Sequence, residues 1–326
     1  GRTLSGKLNL YSKKLNINEL LNAYQKGGER FKSEHAPLLQ DETPTATADT
    51  INSEMKLFVV PEPFDLAFKA TIDTLIFSDI LFNDFYGDVT MREKILRIKN
   101  LSTSTNLGHF AMNVMYKCDT PQKAIAGVDI STKKIDVDQL IKQIPMLDSI
   151  VPMLRSFDGQ LDCSMTAVTD LDSAMNVDLP TLSAAAYLHG EDMVLLDGET
   201  FSEIAKTLMF KNKKRNLIDS ISVELTIKNN QMEVYPFMLE MDKYRAAISG
   251  THNFDMSFNY HISLLNPLKI GLNIYGNLEK PKFKLVLPKY KDEKSVTRST
   301  SLQGKTLNLR QQFQKSLQQI ILEQTN

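Results

Sequence analysis

A chain of 326 residues has material for one large domain or two ordinary ones, with an ample apolar core. Its 38 basic and 39 acidic residues leave a formal charge of −1, so no strong positive field points to a nucleic-acid partner. No apolar run reaches the roughly eighteen residues that a membrane-spanning helix needs, and the start "GRTLSG" reads as that of an excised piece whose anchoring segment would lie upstream.

The first element, "LNLYSKKLNINELLNAY", has apolar residues at Leu8 and Leu10, then at Leu15 and Ile17. Lys13 and Lys14 between them predict a reversal, Asn18 an N-cap, and "ELLNAY" a short helix. A near twin, "STKKIDVDQLI", follows 120 positions later, with Asp138 as the expected cap and a helix ending near Pro145. A third, more degenerate copy spans 182–210, with a strand pair around 189–192 and a helix over 202–209. Repetition of one module suggests growth by stacking. Residues 1–24 then read as the end of a preceding repeat, and 25–54, rich in Gly, Thr, Asp, Glu and Pro without apolar period, as a flexible insertion.

From residue 55 to 290 strands dominate. "FDLAFKATI", "HFAMNVMYK" and "QLDCSMTAV" alternate apolar and polar residues. So does the stretch from Ile221, Val223 and Leu225 through a turn at Asn229 and Asn230 to "LKIGLNIYGN", which carries Ile270, Leu272 and Ile274. Strands with one apolar side, joined by short polar turns, predict an antiparallel meander. One nine-residue strand is expected to carry Phe254, Met256, Phe258, Tyr260 and Ile262 on one side. Residues 291–326 read as a polar spacer and an amphipathic helix with Leu309, Phe313, Leu317 and Ile321 on one face.

Catalytic signatures are missing. There is no P-loop, no GxSxG elbow and no HExxH helix, and the histidines are scattered, with His252 and His261 expected on two sides of one strand. The acidic run "DLDSAMNVD" is expected to point from the polar face of a sheet rather than to pair its carboxylates in a cleft. Cys118 and Cys163 stand alone on strands, as two buried thiols or one disulfide. Nothing calls for a catalytic residue, a metal or another cofactor, and a non-enzymatic role is expected.

The fold class is therefore mainly β: a long antiparallel sheet with a few short capping helices. Its apolar side needs a cover. A second sheet would give a closed sandwich-type binding module; a curved sheet left partly open would take lipid. Fourteen Met and sixteen Phe without Trp suit a pliable apolar lining and an ordinary core equally.

The segment "SISVELTIKNNQMEVYPFMLEMDKYRAAISGTHNFDMSFNYHISLLNPLKIGLNIYGN" resembles the AsmA-like C-terminal region in its Bacteroides-type version. The resemblance rests on "VELTIKNNQMEVYPF", on "MDKYRAAISG" with Asp242, Tyr244, Ser249 and Gly250, and on "FDMSFNYHIS" followed by "GLNIYGN". It implies kinship with TamB and YhdP and a long, curved, taco-like β-groove. It also implies a periplasmic location with an inner-membrane anchor, and a role in carrying phospholipid between inner and outer membrane. Other envelope proteins at the groove ends would be partners. An older description of the family, assembly of outer-membrane proteins, gives the alternative of a scaffold. The expected groove lining is Phe254, Met256, Phe258, Tyr260, Ile262, Ile221, Val223, Leu225, Ile270, Leu272 and Ile274.

Overall fold

In the computed structural model, residues 4–23, 57–144, 147, 151–196, 217–241, 244–277, 280–299 and 311 are described. The expected insertion at 25–54, the helices expected at 202–209 and 309–321, and Asp242 lie outside them, apart from Gln311.

The chain forms one open sheet of fifteen strands. They are β1 (Leu4–Asn16), β2 (Phe64–Phe77), β3 (Ile80–Arg92), β4 (Ile95–Thr105), β5 (Gly108–Thr120), β6 (Lys123–Asp136), β7 (Phe157–Asp158) and β8 (Gln160–Leu171). Then follow β9 (Ser183–Leu195), β10 (Leu217–Lys228), β11 (Gln231–Met241), β12 (Tyr244–Asn253), β13 (Ser257–Asn266), β14 (Ile270–Asn277) and β15 (Pro281–Val286). Spatial order follows chain order, with the two-residue β7 set aside to pair with β9. All neighbours are antiparallel except β1 and β2, which run parallel. A two-residue turn cannot join parallel strands, and the connection here starts with helix α1 at 17–23. The strand of residues 1–24 is thus the first strand of this same sheet. The described residues form this one sheet, which is not closed, and no second sheet faces it among them.

The repeated module differs from expectation. Lys13 and Lys14 do not reverse the chain, since β1 runs straight through them; in the twin, β6 runs through Lys133 and Lys134. What changes is the parity of the apolar positions. In β6 the register against β8 passes from Thr132–Cys163 to Ile135–Leu161, which leaves one extra residue on β6. Lys134 takes φ 54° there, and Asp162 Oδ1 accepts its N–H at 2.8 Å. This is a β-bulge, and the extra residue keeps Thr132 and Ile135 on one face. Residues 189–192 likewise lie within one continuous strand, β9, rather than forming a strand pair.

The helix caps sit two residues earlier than expected, where the strand ends. Asn16 Oδ1 accepts the N–H of Asn18 at 3.0 Å, and Asp136 Oδ1 that of Gln139 at 2.8 Å, opening α2 (Val137–Gln143). Asp138 instead pairs with Lys142 on the surface. The "DLDSAMNVD" run is a turn, in which Asp172 accepts the N–H groups of Ala174 and Asn176; of its carboxylates Asp170 alone lies in a strand. The spacer begins with a helix, α3 (Glu293–Ser299), because Asp292 and Ser295 bond reciprocally at its start. Both cysteines are free thiols.

Candidate functional site

Ladder pairing puts one apolar face on the whole sheet. From β1 to β6, Leu8, Phe68, Val89, Ile98, Val114 and Val128 lie opposite one another in succession. The same row continues through Ala167, Ala184, Ile227, Met232 and His252 to Phe258. At ~4.8 Å per strand the sheet carrying it is roughly 60 Å across. The opposite face is largely polar, with Asp129, Ser164, Tyr187, Ser222 and Glu224 in the central strands.

Bulges keep this face apolar where simple alternation would fail. In β11 the register slips by one between Val234 and Phe237, against β10 and β12 alike, and Pro236 sits at the slip. A proline cannot donate to a ladder, so in a central strand it is tolerated at such a bulge. The slip returns Phe237, Leu239 and Met241 to the side already occupied by Met232 and Val234. In β4, between Ile98 and Leu101, Asn100 plays the same part with φ 52°.

On this face Leu264 and Leu272 are wholly buried. The margins are plugged. Val137 and Ile141 of α2 pack with Leu161, Met193 and Ile218 on one side. Leu179 and Leu182 pack with Ala184 and Leu225 on the other. Between these two clusters lies a strip that belongs to both: Leu188, Val223, Phe237 and Ile248 pack against each cluster while remaining half-buried.

That strip is part of a longer half-buried seam that crosses the sheet obliquely. In one ladder row the half-buried residues are Ile98, Val114 and Val128 of β4 to β6; in the next row they are Met112, Ile130 and Met165 of β5 to β8. In the third they are Cys163, Leu188 and Val223, from which the seam passes to Phe237 and Ile248 of β11 and β12. The shift by one row every few strands is what strands tilted to a groove axis produce. The seam carries apolar atoms and a thiol and offers dispersion and water exclusion rather than acid–base chemistry.

Of the expected lining, Ile221, Val223, Leu225, Phe258, Tyr260, Ile262, Ile270, Leu272 and Ile274 all project from this face. Val223 is in the seam. Ile221, Leu225, Tyr260, Ile262, Leu272 and Ile274 are buried in its flanks, with Ile270 packed beside them. Phe254 and Met256 are not on that strand: β12 ends at Asn253 and β13 starts at Ser257. Phe254 N–H is bonded instead to Asn230 O at 2.9 Å, and Met256 has φ 67°. The turn forms because Asp255 caps it, accepting Ser257 N–H at 2.9 Å. Of the seam the sequence pointed to Val223 alone; the rest, from Ile98 to Ile248, was missed, and the proline inside an alternating run was the available signal for Phe237.

His252 and His261 lie on successive strands, β12 and β13, and on opposite faces. His261 is on the outer face, within hydrogen-bond distance of Asn273 Oδ1 at 2.6 Å and Ser263 Oγ at 2.8 Å. Among the described residues no three His, Cys, Asp or Glu side chains converge for a metal. A concavity of about 510 Å³ lies away from the seam, lined by Thr251, Asn259, Asn273, Tyr275 and Lys284 of the polar face and the rim residue Phe258. Among the described residues no helix is long and apolar enough to cross a membrane.

No protein-family model, no curated protein and no solved structure matches the chain.

Proposed function

We propose that this chain is a non-enzymatic segment of an AsmA-like protein that holds or conducts phospholipid along its apolar face, in the periplasm between inner and outer membrane. The observation that carries the proposal is the oblique, half-buried seam running from Ile98 to Ile248 without a charged side chain. A two-chain lipid with about thirty methylenes costs on the order of 20 kcal/mol to expose to water, at ~0.8 kcal/mol per CH₂. A continuous apolar strip offsets most of that cost and requires no specific contact, so a lipid can stay shielded while it shifts from one strand to the next. Native mass spectrometry of the gently purified protein tests the proposal: phospholipid should co-purify, and lipid-free protein that takes up none from vesicles would refute it.

A scaffold for outer-membrane proteins is the second reading, favoured by the edge of β1, which pairs with β2 alone among the described residues and where Leu8 and Tyr11 are 50% and 74% exposed. An open edge can add a strand from another chain. Photocrosslinks from position 11 would then run to unfolded barrel protein rather than to lipid.

A further inference from the structure

Among the described residues four buried side chains on the apolar face, Tyr116, Thr132, His252 and Tyr260, carry a polar atom without a hydrogen-bond partner, and the last two are neighbours. His252 of β12 is 1% exposed and Tyr260 of β13 is 6% exposed. His252 lies opposite Phe258 in the ladder, and Tyr260 lies opposite Gly250, so both project from the apolar side. The Phe258 ring joins them, its centroid 6.3 Å from that of His252 and 6.2 Å from that of Tyr260. Gly250 makes room: a Cβ there would stand 2.4 Å from Tyr260 Cδ1.

Neither His252 Nε2 nor the Tyr260 hydroxyl has a hydrogen-bond partner among the described residues, although both atoms are sealed from solvent. A buried polar atom left unpaired costs ~1–3 kcal/mol, and buried polar groups are almost always satisfied. The outer face of the same strands obeys that rule, with His261 meeting Asn273 and Ser263. The surroundings of the unsatisfied pair are apolar: Met232, Val234, Phe254 and Phe258 pack here. Burial lowers the His252 pKa and raises that of Tyr260, so both groups are neutral near pH 7 and Tyr260 keeps its proton to donate.

We propose that His252 and Tyr260 receive the ester carbonyl of an acyl lipid whose chain lies on the apolar face. Tyr260 donates, and His252 donates too in the tautomer that carries its proton on Nε2; two such neutral donors among apolar side chains suit a neutral acceptor joined directly to a hydrocarbon chain, whereas a buried phosphate would need a cationic partner. Phe258, half-buried between them, packs against the first methylenes. The assignment rests on the lipid-holding function proposed above and names the atoms that would fix a lipid's depth.

The test compares an ester-linked single-chain lysophosphatidylcholine with its ether-linked analogue of the same chain length, each titrated into the intact chain below its micelle concentration. The wild type should bind the ester five- to tenfold more tightly. Tyr260→Phe should abolish that preference and leave ether affinity unchanged, and His252→Phe should reduce the preference. Equal affinities in the wild type would overturn the carbonyl assignment, with water as the natural partner, while leaving the groove intact. A preference that survives in both variants would overturn it as well. Failure of both lipids to bind would overturn the groove itself. The wild-type comparison decides even where a variant fails to fold.

Discussion

Asp162 on β8 holds the backbone of Lys134 on β6, its carboxylate accepting the Lys134 N–H at 2.8 Å where the chain takes φ 54°. That bond fixes the bulge that restores Ile135 to the apolar face and aims the chain at the Asp136 cap. Asp162→Ala should cost about 1 kcal/mol in urea unfolding, and Asp162→Asn, which keeps an acceptor, should recover most of it. Lys134→Gly should be neutral or slightly stabilising, because glycine adopts the positive φ without strain.

The seam and its flanks should answer a buried charge differently. Val223 is half-buried between two clusters, whereas Leu272 is 0% exposed. Val223→Asp should keep the far-UV circular dichroism spectrum of the wild type and lose co-purifying lipid. Leu272→Asp should fail to fold, since an unpaired carboxylate there has no route to water. A Val223→Asp protein that still carries its full lipid complement would remove the seam from consideration.

Gly250 has no room for a side chain. An added Cβ would stand 2.5 Å from Asn259 O and 2.7 Å from Tyr260 Cα, both backbone atoms that side-chain movement cannot relieve. Gly250→Ala should therefore destabilise by roughly 2–4 kcal/mol in denaturant titration.

His252 predicts a pH dependence with a definite sign. Burial depresses its folded-state pKa below the usual 6.5, with the Asp255 carboxylate opposing part of that shift. The unfolded chain therefore takes up a proton before the folded one does, and stability is lost as the pH falls below 6.5 towards the folded value. The slope in that window approaches 1.4 kcal/mol per pH unit at most, and His252→Phe should remove this component. Measured unfolding free energies at a series of pH values for both proteins check it. A dependence unchanged in the variant would assign the effect to other groups.

How far the sequence alone reaches can be judged residue by residue. The alternation in "HFAMNVMYK" gives β5 its faces correctly, and Asn229 and Asn230, with φ 52° and 61°, make the turn expected of them. Alternation is a local property that a strand's two faces impose. Where the period breaks, the sequence is ambiguous, because a parity change reads equally as a turn or as a bulge. The lysine pair in the repeat and Pro236 both proved to be bulges, decided by neighbouring strands that are distant in sequence. The error at Phe254 and Met256 has the same root: apolar residues continue the period into a hairpin whose shape is set by Asp255. The parallel pairing of β1 with β2 has no local signature at all. Which apolar residues form the seam and which its flanks is likewise a matter of packing between strands and helices distant in sequence, visible once they are assembled.

Spatial order that follows chain order has a mechanical consequence. Each strand is hydrogen-bonded to its immediate neighbours alone, so unfolding can begin at either rim and stop partway, much as a zipper opens from its ends. Amide exchange should be quickest at β1 and β15 and slowest around β8 to β11. A terminal strand can then swing aside to let a bulky object enter, and the middle of the molecule need not loosen at all.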